Sequence, residues 1–159
     1  MRDKAYHERE NWLDRFGNLV SPEERSNLGG KTKWYGAALL RFAPEEFSAD
    51  RAHSCKPWPI DYSTLAPFYD AAEQLLGVRH FPIERDLAGV AAKLTSRGWQ
   101  TQPLPMGLAP EILENAVEAR HFDGFASPAG LKRDAQTAFL ARVIDHPNLD
   151  VLTDTAVTA

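Results

Sequence analysis

The stretch Asn27–Gly36 reads Asn-Leu-Gly-Gly-Lys-Thr-Lys-Trp-Tyr-Gly, and its reading decides the fold. Gly30-Lys31-Thr32 matches the end of a phosphate-binding loop, the turn that wraps a triphosphate between a strand and a helix. That turn requires a glycine five places before Gly30, and Arg25 stands there. It also follows a buried apolar strand, whereas Ser21–Asn27 is polar. Lys33-Trp34-Tyr35-Gly36 is a poor helix start, with aromatics and a glycine. The triphosphatase reading therefore fails on spacing and on context, and the two glycines need another purpose.

Composition narrows the field. The 159 residues suffice for one ordinary domain with a core, and 43% hydrophobic with 25% charged residues is a soluble, globular balance. A net charge of −4 argues against a nucleic-acid binder that relies on a basic surface. The start, Met1-Arg2-Asp3-Lys4, lacks the apolar core of a signal peptide, and the longest apolar run, Trp34–Leu40, is too short for a bilayer. Cytoplasmic localisation is the expectation. Cys55 has no internal partner for a disulfide, and the five histidines show no metal-ligand spacing, so no metal is expected.

Along the chain, residues 1–27 offer no clear regular element. Ala37–Leu40 fits either a short helix or buried extended chain. Leu65, Phe68, Tyr69, Ala72, Leu75 and Leu76 fall on one helical face, with Pro67 expected in the first turn and Gly77 as the stop. A second helix is expected over Glu84–Arg97, with Leu87, Val90, Ala91 and Leu94 inward. Trp99–Leu108 reads as extended chain, limited to an edge by Pro103 and Pro105. A third helix is expected over Pro110–Arg120 on Ile112, Leu113, Ala116 and Val117, and a fourth over Arg133–Asp145. Leu149–Thr153 alternates at period two, as a strand does. The order implies a mixed α/β protein. Both ends look cut, and the sheet wants partners from elsewhere.

Three stretches in this order carry a family resemblance: "LGGKTKWYGAALLRFAPEEF" (Leu28–Phe47), "WPIDYSTLAPFYDAAEQLLGV" (Trp58–Val78) and "FDGFASPAGLKRDAQTAFLARVIDHPNLDVLTDTAVTA" (Phe122–Ala159). Together they resemble the glucose-methanol-choline (GMC) family of FAD-dependent oxidoreductases, especially its bacterial members with "GG-x-T-K-x-YGAA". The resemblance covers nearly everything after about residue 9 and matches the middle of such a protein. The family's G-x-G-x-x-G fingerprint and its catalytic histidine are not found in these residues.

The resemblance implies an α/β fragment of an FAD/NAD(P)-binding-type fold plus part of its substrate domain. Residues 1–50 would belong to the FAD-binding domain, 51–130 to the substrate or cap domain, and 131–159 to the FAD-binding domain again. Gly29 and Gly30 would let the backbone approach FAD, and Thr32 would sit near its phosphates. Trp34 occupies the position where some members carry a histidine bonded covalently to the flavin, so non-covalent FAD is expected. Tyr35 would lie near the flavin, and Val157 where main-chain groups hold the adenine. The implied reaction is oxidation of a CH–OH donor, an alcohol or sugar, with the hydride passing to the flavin. The chain alone would be inactive because the base is absent. Phe122–Phe125 would lead into a loop near the flavin or the substrate entrance, and the neighbouring His121 reads more simply as a surface residue. Arg41, after an apolar run, invites a carboxylate partner. The competing reading is a non-catalytic, truncated module that binds a ligand or partner.

Overall fold

The computed structural model describes residues 11–21 and 25–155. The architecture is mixed α/β, with two small antiparallel sheets and four helices among the described residues. β1 (Trp12–Leu13) pairs with β2 (Leu19–Val20) in a hairpin that the sequence pattern does not announce. Its turn is closed by Asp14, whose Oδ1 accepts from the amides of Phe16 at 2.8 Å and Asn18 at 2.9 Å.

α1 (Tyr62–Leu76) is the longest helix. Asp61 caps it: its Oδ1 accepts from the Thr64 amide at 2.7 Å and from the hydroxyls of Ser63 and Thr64. Gly77 ends it at φ 60°, a left-handed conformation that glycine adopts without penalty. Pro67 does not lie in the first turn as its chemistry suggests. The Asp61 cap starts the helix at Tyr62, and Pro67, one turn further in, forgoes only the bond toward Ser63. Phe68, counted on the apolar face, is 68% exposed.

β3 (Arg79–His80) pairs with β4 (Pro105–Met106), with Arg79 opposite Met106 and His80 opposite Pro105. Between them runs α2 (Arg85–Thr95), close to the expected span. Its apolar residues are not inward: Leu87 and Val90 are each more than half exposed and line an open groove with Phe81 and Leu104.

The segment 105–109 is the hub of the fold. β4 holds β3 on one side. On the other, Leu39 N donates to Pro105 O at 2.9 Å and Gly107 N to Ala37 O at 2.8 Å. Further along, Ala109 N donates to Leu131 O at 2.7 Å and Arg133 N to Gly107 O at 2.8 Å. Pro105 is therefore not at an edge; its carbonyl serves the ladder although it has no amide hydrogen. Ala37, Leu108 and Ile112 form the core around this hub, flanked by Tyr35, Phe81, Met106, Phe122 and Leu131.

Three expectations change here. The third helix splits into a 3-10 turn, Pro110–Glu114, and α3 (Ala116–His121), with Asn115 capping α3 by accepting from the Glu118 amide. Only Ile112 of its expected face is buried; Leu113 and Val117 are exposed. The fourth helix shrinks to α4 (Ala135–Ala138) and a 3-10 turn, Leu140–Arg142. Leu149–Thr153 forms no strand and has no ladder partner among the described residues, and without a partner its ladder bonds would go unmade. Val157 lies outside the described residues.

Candidate functional site

The Asn27–Tyr35 loop turns at Gly29, φ 87°, and Gly30, φ 53°, and continues as a 3-10 turn over Gly30–Lys33. A Cβ on Gly29 would sit 3.2 Å from the Lys33 side chain and 3.5 Å from Asp134 and Gln136. Gly29 is thus small where the loop meets the start of α4. Gly30 faces open space, with nothing closer than the Arg25 carbonyl at 3.9 Å.

Asp134 makes that junction. It is 6% exposed, caps α4 by accepting from the amides of Gln136 at 2.8 Å and Thr137 at 3.0 Å, and receives the Lys33 ammonium at 3.0 Å. Thr32 secures the same contact: its hydroxyl donates to Gly29 O and accepts from Ala135 N at 3.0 Å. Loop and helix start are therefore one unit.

Tyr35 extends the junction inward. Its phenol donates to Arg133 O at 2.6 Å, and burial, reinforced by the negative charge of Asp134, pushes its pKa up to about 12. Beside it lies Lys132, 1% exposed. Its ammonium donates to Tyr35 O and Phe122 O at 2.7 Å each, and to Phe125 O, and lies 5.5 Å from the Tyr35 ring centroid. Three donors meet three carbonyls, the arrangement a buried ammonium needs. Burial lowers its pKa to about 8, against the pull of Asp123, Asp134 and Glu118.

On this frame sits a groove of about 520 Å³, walled by Trp34, Val117, His121, Phe122, Phe125 and Pro128. Its polar edge is spent internally: Glu118 accepts from Ser127 Oγ and from Ala129 N at 2.8 Å. The Ser127 hydroxyl in turn accepts from Leu131 N at 2.7 Å. Trp34 also lines a smaller groove of about 260 Å³, with Asn27, Leu28, Lys33 and Gln136. The Trp34 indole N–H points to Asn27 Oδ1 at 3.4 Å.

Of the residues singled out in the sequence, Gly29, Gly30, Thr32, Trp34 and Tyr35 fall together, and of these five Trp34 lines the larger groove, which His121, Phe122 and Phe125 also wall. Thr32 and Tyr35 spend their hydroxyls on the protein. His121 ends α3 at the groove rim, edge-on to Phe125. Arg41 finds its carboxylates on α1: Nε and Nη2 meet Glu73 at 2.6 Å each, and Nη2 meets Asp70 at 2.7 Å. Lys132 and Asp134 went unnoticed in the sequence. For Asp134 a signal existed, an Asp two places after a lysine and directly before Ala-Gln-Thr, the pattern of a capped helix start. For Lys132 there was none, since lysine is almost never fully buried. Among the described residues no three metal-ligating side chains converge, and no helix is long and apolar enough to cross a membrane.

With this geometry in view, comparison with known proteins is informative. The chain is 33% identical over 129 residues to 6'''-hydroxyparomomycin C oxidase of Streptomyces lividus, covering 78% of the chain and 22% of that protein. It is 30% identical over 162 residues to paromamine 6'-oxidase of Streptomyces fradiae, covering 83% and 28%. It is 33% identical over 63 residues to 2-methyl-1,2-propanediol dehydrogenase of Mycolicibacterium austroafricanum, covering 38% and 11%. These relatives are named as oxidases and a dehydrogenase, so the chain is similar to oxidoreductases. It spans about a quarter of the length of the two oxidases. No family model and no solved structure matches it.

Proposed function

We propose that this chain is an internal segment of a GMC-type, FAD-dependent oxidoreductase that acts on CH–OH donors. The carrying observation is the wall that the glycine loop builds: Gly29–Tyr35, locked to α4, presents Trp34 to an apolar groove. The similarity to two oxidases and a diol dehydrogenase supports the reaction class, and their names favour a sugar-like or polyol alcohol.

FAD has a flat ring system and a pyrophosphate, and the two fit differently here. Trp34, Phe122, Phe125 and Pro128 suit a flat ring, because aromatic and apolar surfaces pack against its faces. The hydroxyls of Thr32 and Tyr35 are bonded to backbone, so they act by holding the loop. Gly30 leaves an open backbone approach. Bound flavin would supply the hydride acceptor. The chain's own part is to place the ring and to exclude water from its face. No residue of the groove is assigned as the base, so the isolated chain is expected to be inactive.

The test is to express the complete reading frame that encodes these residues and record its visible spectrum. Flavin absorbance that bleaches anaerobically on adding a sugar or polyol alcohol is the expected result. A colourless product that gains no donor-dependent absorbance change when given FAD overturns the proposal.

A further inference from the structure

Lys132 is the one lysine that the chain buries fully among its described residues, and the groove explains where its three protons go. Tyr35 O follows Trp34, which forms one wall. Phe122 O and Phe125 O belong to a second segment that lines the same groove. Tyr35 and Phe122 lie far apart in sequence, yet their carbonyls meet at one ammonium.

We infer that Lys132 is a positioning residue for the groove: its ammonium draws the carbonyls of Tyr35, Phe122 and Phe125 to one point and so sets the spacing between the Trp34 wall and the Phe122–Phe125 wall. The inference rests on the proposal above only in taking this groove as the ligand site. Charge-assisted bonds to carbonyls favour the closed arrangement, and desolvation of the ammonium opposes it. The groups that face the ammonium are Asp123 in the loop after α3, Glu118 on α3, Asp134 at the start of α4, and the Tyr35 ring. The three carboxylates hold the proton on; burial is the larger influence and drives it off.

The experiment is amide hydrogen exchange on the whole chain, corrected for intrinsic exchange, in the wild type and in Lys132→Met. In the variant, protection of residues 34–37 and 122–131 is expected to fall together by about tenfold or more, as loss of a charged hydrogen bond implies. α1 and α2 should be unchanged. Unchanged protection in a folded Lys132→Met, or walls that respond separately, overturns the inference. If the variant does not fold, the wild type decides in native-state exchange at low denaturant: one common opening free energy for the two segments supports the inference, and two separate ones overturn it. FAD titration is read separately. A chain whose exchange behaves as expected but takes up no FAD counts against the flavin and leaves the role of Lys132 standing.

Discussion

The Tyr35 phenol donates to the carbonyl of Arg133 at 2.6 Å across 98 residues of sequence. That bond ties the glycine loop to the segment that precedes α4. It also passes beside Gly107, where an added Cβ would lie 2.8 Å from the phenol oxygen. Tyr35→Phe keeps the ring and removes the donor, leaving a partly buried carbonyl unpaired, so a loss of about 1 kcal/mol in a urea unfolding series is expected.

The same phenol predicts a pH effect. Its pKa is raised from 10.0 to about 12 in the folded chain. The folded state therefore holds this proton while the unfolded state has lost it. The stability it contributes is fully present below pH 10 and is lost as pH rises through about 12. Melting temperatures recorded over that window should fall in the wild type and fall less in Tyr35→Phe; parallel curves would refute the assignment.

The Arg41–Glu73 pair works at the other end of the scale. The Arg41 guanidinium, bonded to Glu73 through two nitrogens, holds the Glu73 carboxyl below its ordinary value of 4.5. Stability from this carboxylate is present above 4.5 and is lost as pH falls through the depressed folded value. Glu73→Gln should lower the melting temperature modestly at neutral pH, because the pair is partly solvated, and flatten the acid limb by the same amount, so that the two curves converge at low pH.

How far the fold is legible follows from which forces are local. α1 is written in the sequence because cap, period and stop all lie within it: Asp61, the Leu65–Leu76 face and Gly77. α2 is legible in span but not in burial, since Leu87 and Val90 meet an open groove rather than a core. The fourth helix failed for want of a surface. Phe139, Val143 and Ile144 remain 44%, 47% and 42% exposed, and an unpacked helix of this length does not sustain itself. Likewise, period two at Leu149–Thr153 specifies a face, not a partner. At the candidate site the glycines and Trp34 can be picked out through the family resemblance that their stretch carries. The bonds that hold them, Lys33 to Asp134 and Lys132 to three carbonyls, are non-local and leave no pattern at short range.

The junction of loop and helix makes a comparison of two glycines decisive. Gly29→Ala combines a left-handed backbone with contact on Lys33, Asp134 and Gln136, whereas Gly30→Ala meets only the backbone cost, about 1–2 kcal/mol. The Gly29 variant should be the less stable of the two by chemical denaturation. If Gly30 is the open approach to a ligand, its variant should retain most stability yet weaken FAD uptake by the complete protein. Equal FAD uptake in Gly30→Ala and wild type would remove Gly30 from the site.

Asp134 carries two duties that can be separated. Asp134→Asn keeps an oxygen for the amides of Gln136 and Thr137 but gives up the charge facing Lys33; Asp134→Ala gives up both. The alanine variant should cost about 2 kcal/mol, from the cap and the stranded ammonium together, and the asparagine variant less. The two losses should come with faster exchange at Thr32–Trp34, since that loop rests on the same carboxylate. Should both variants leave the loop's exchange unchanged, the loop is held by Thr32 and Tyr35 alone.

Trp34 gives the last expectation. An indole at the head of the groove has no imidazole nitrogen with which to bond a flavin, so a flavin in the complete protein should be held by packing and hydrogen bonds only. Acid precipitation of the coloured protein should leave the flavin in the supernatant, and the pellet should show no flavin fluorescence. Trp34→Ala should weaken retention of the flavin on gel filtration by removing the wall's largest apolar surface, while Trp34→Phe should retain part of it. Flavin that stays with the pellet after acid and denaturant would mean a covalent link from another residue, and Trp34 would then say nothing about how the cofactor is attached.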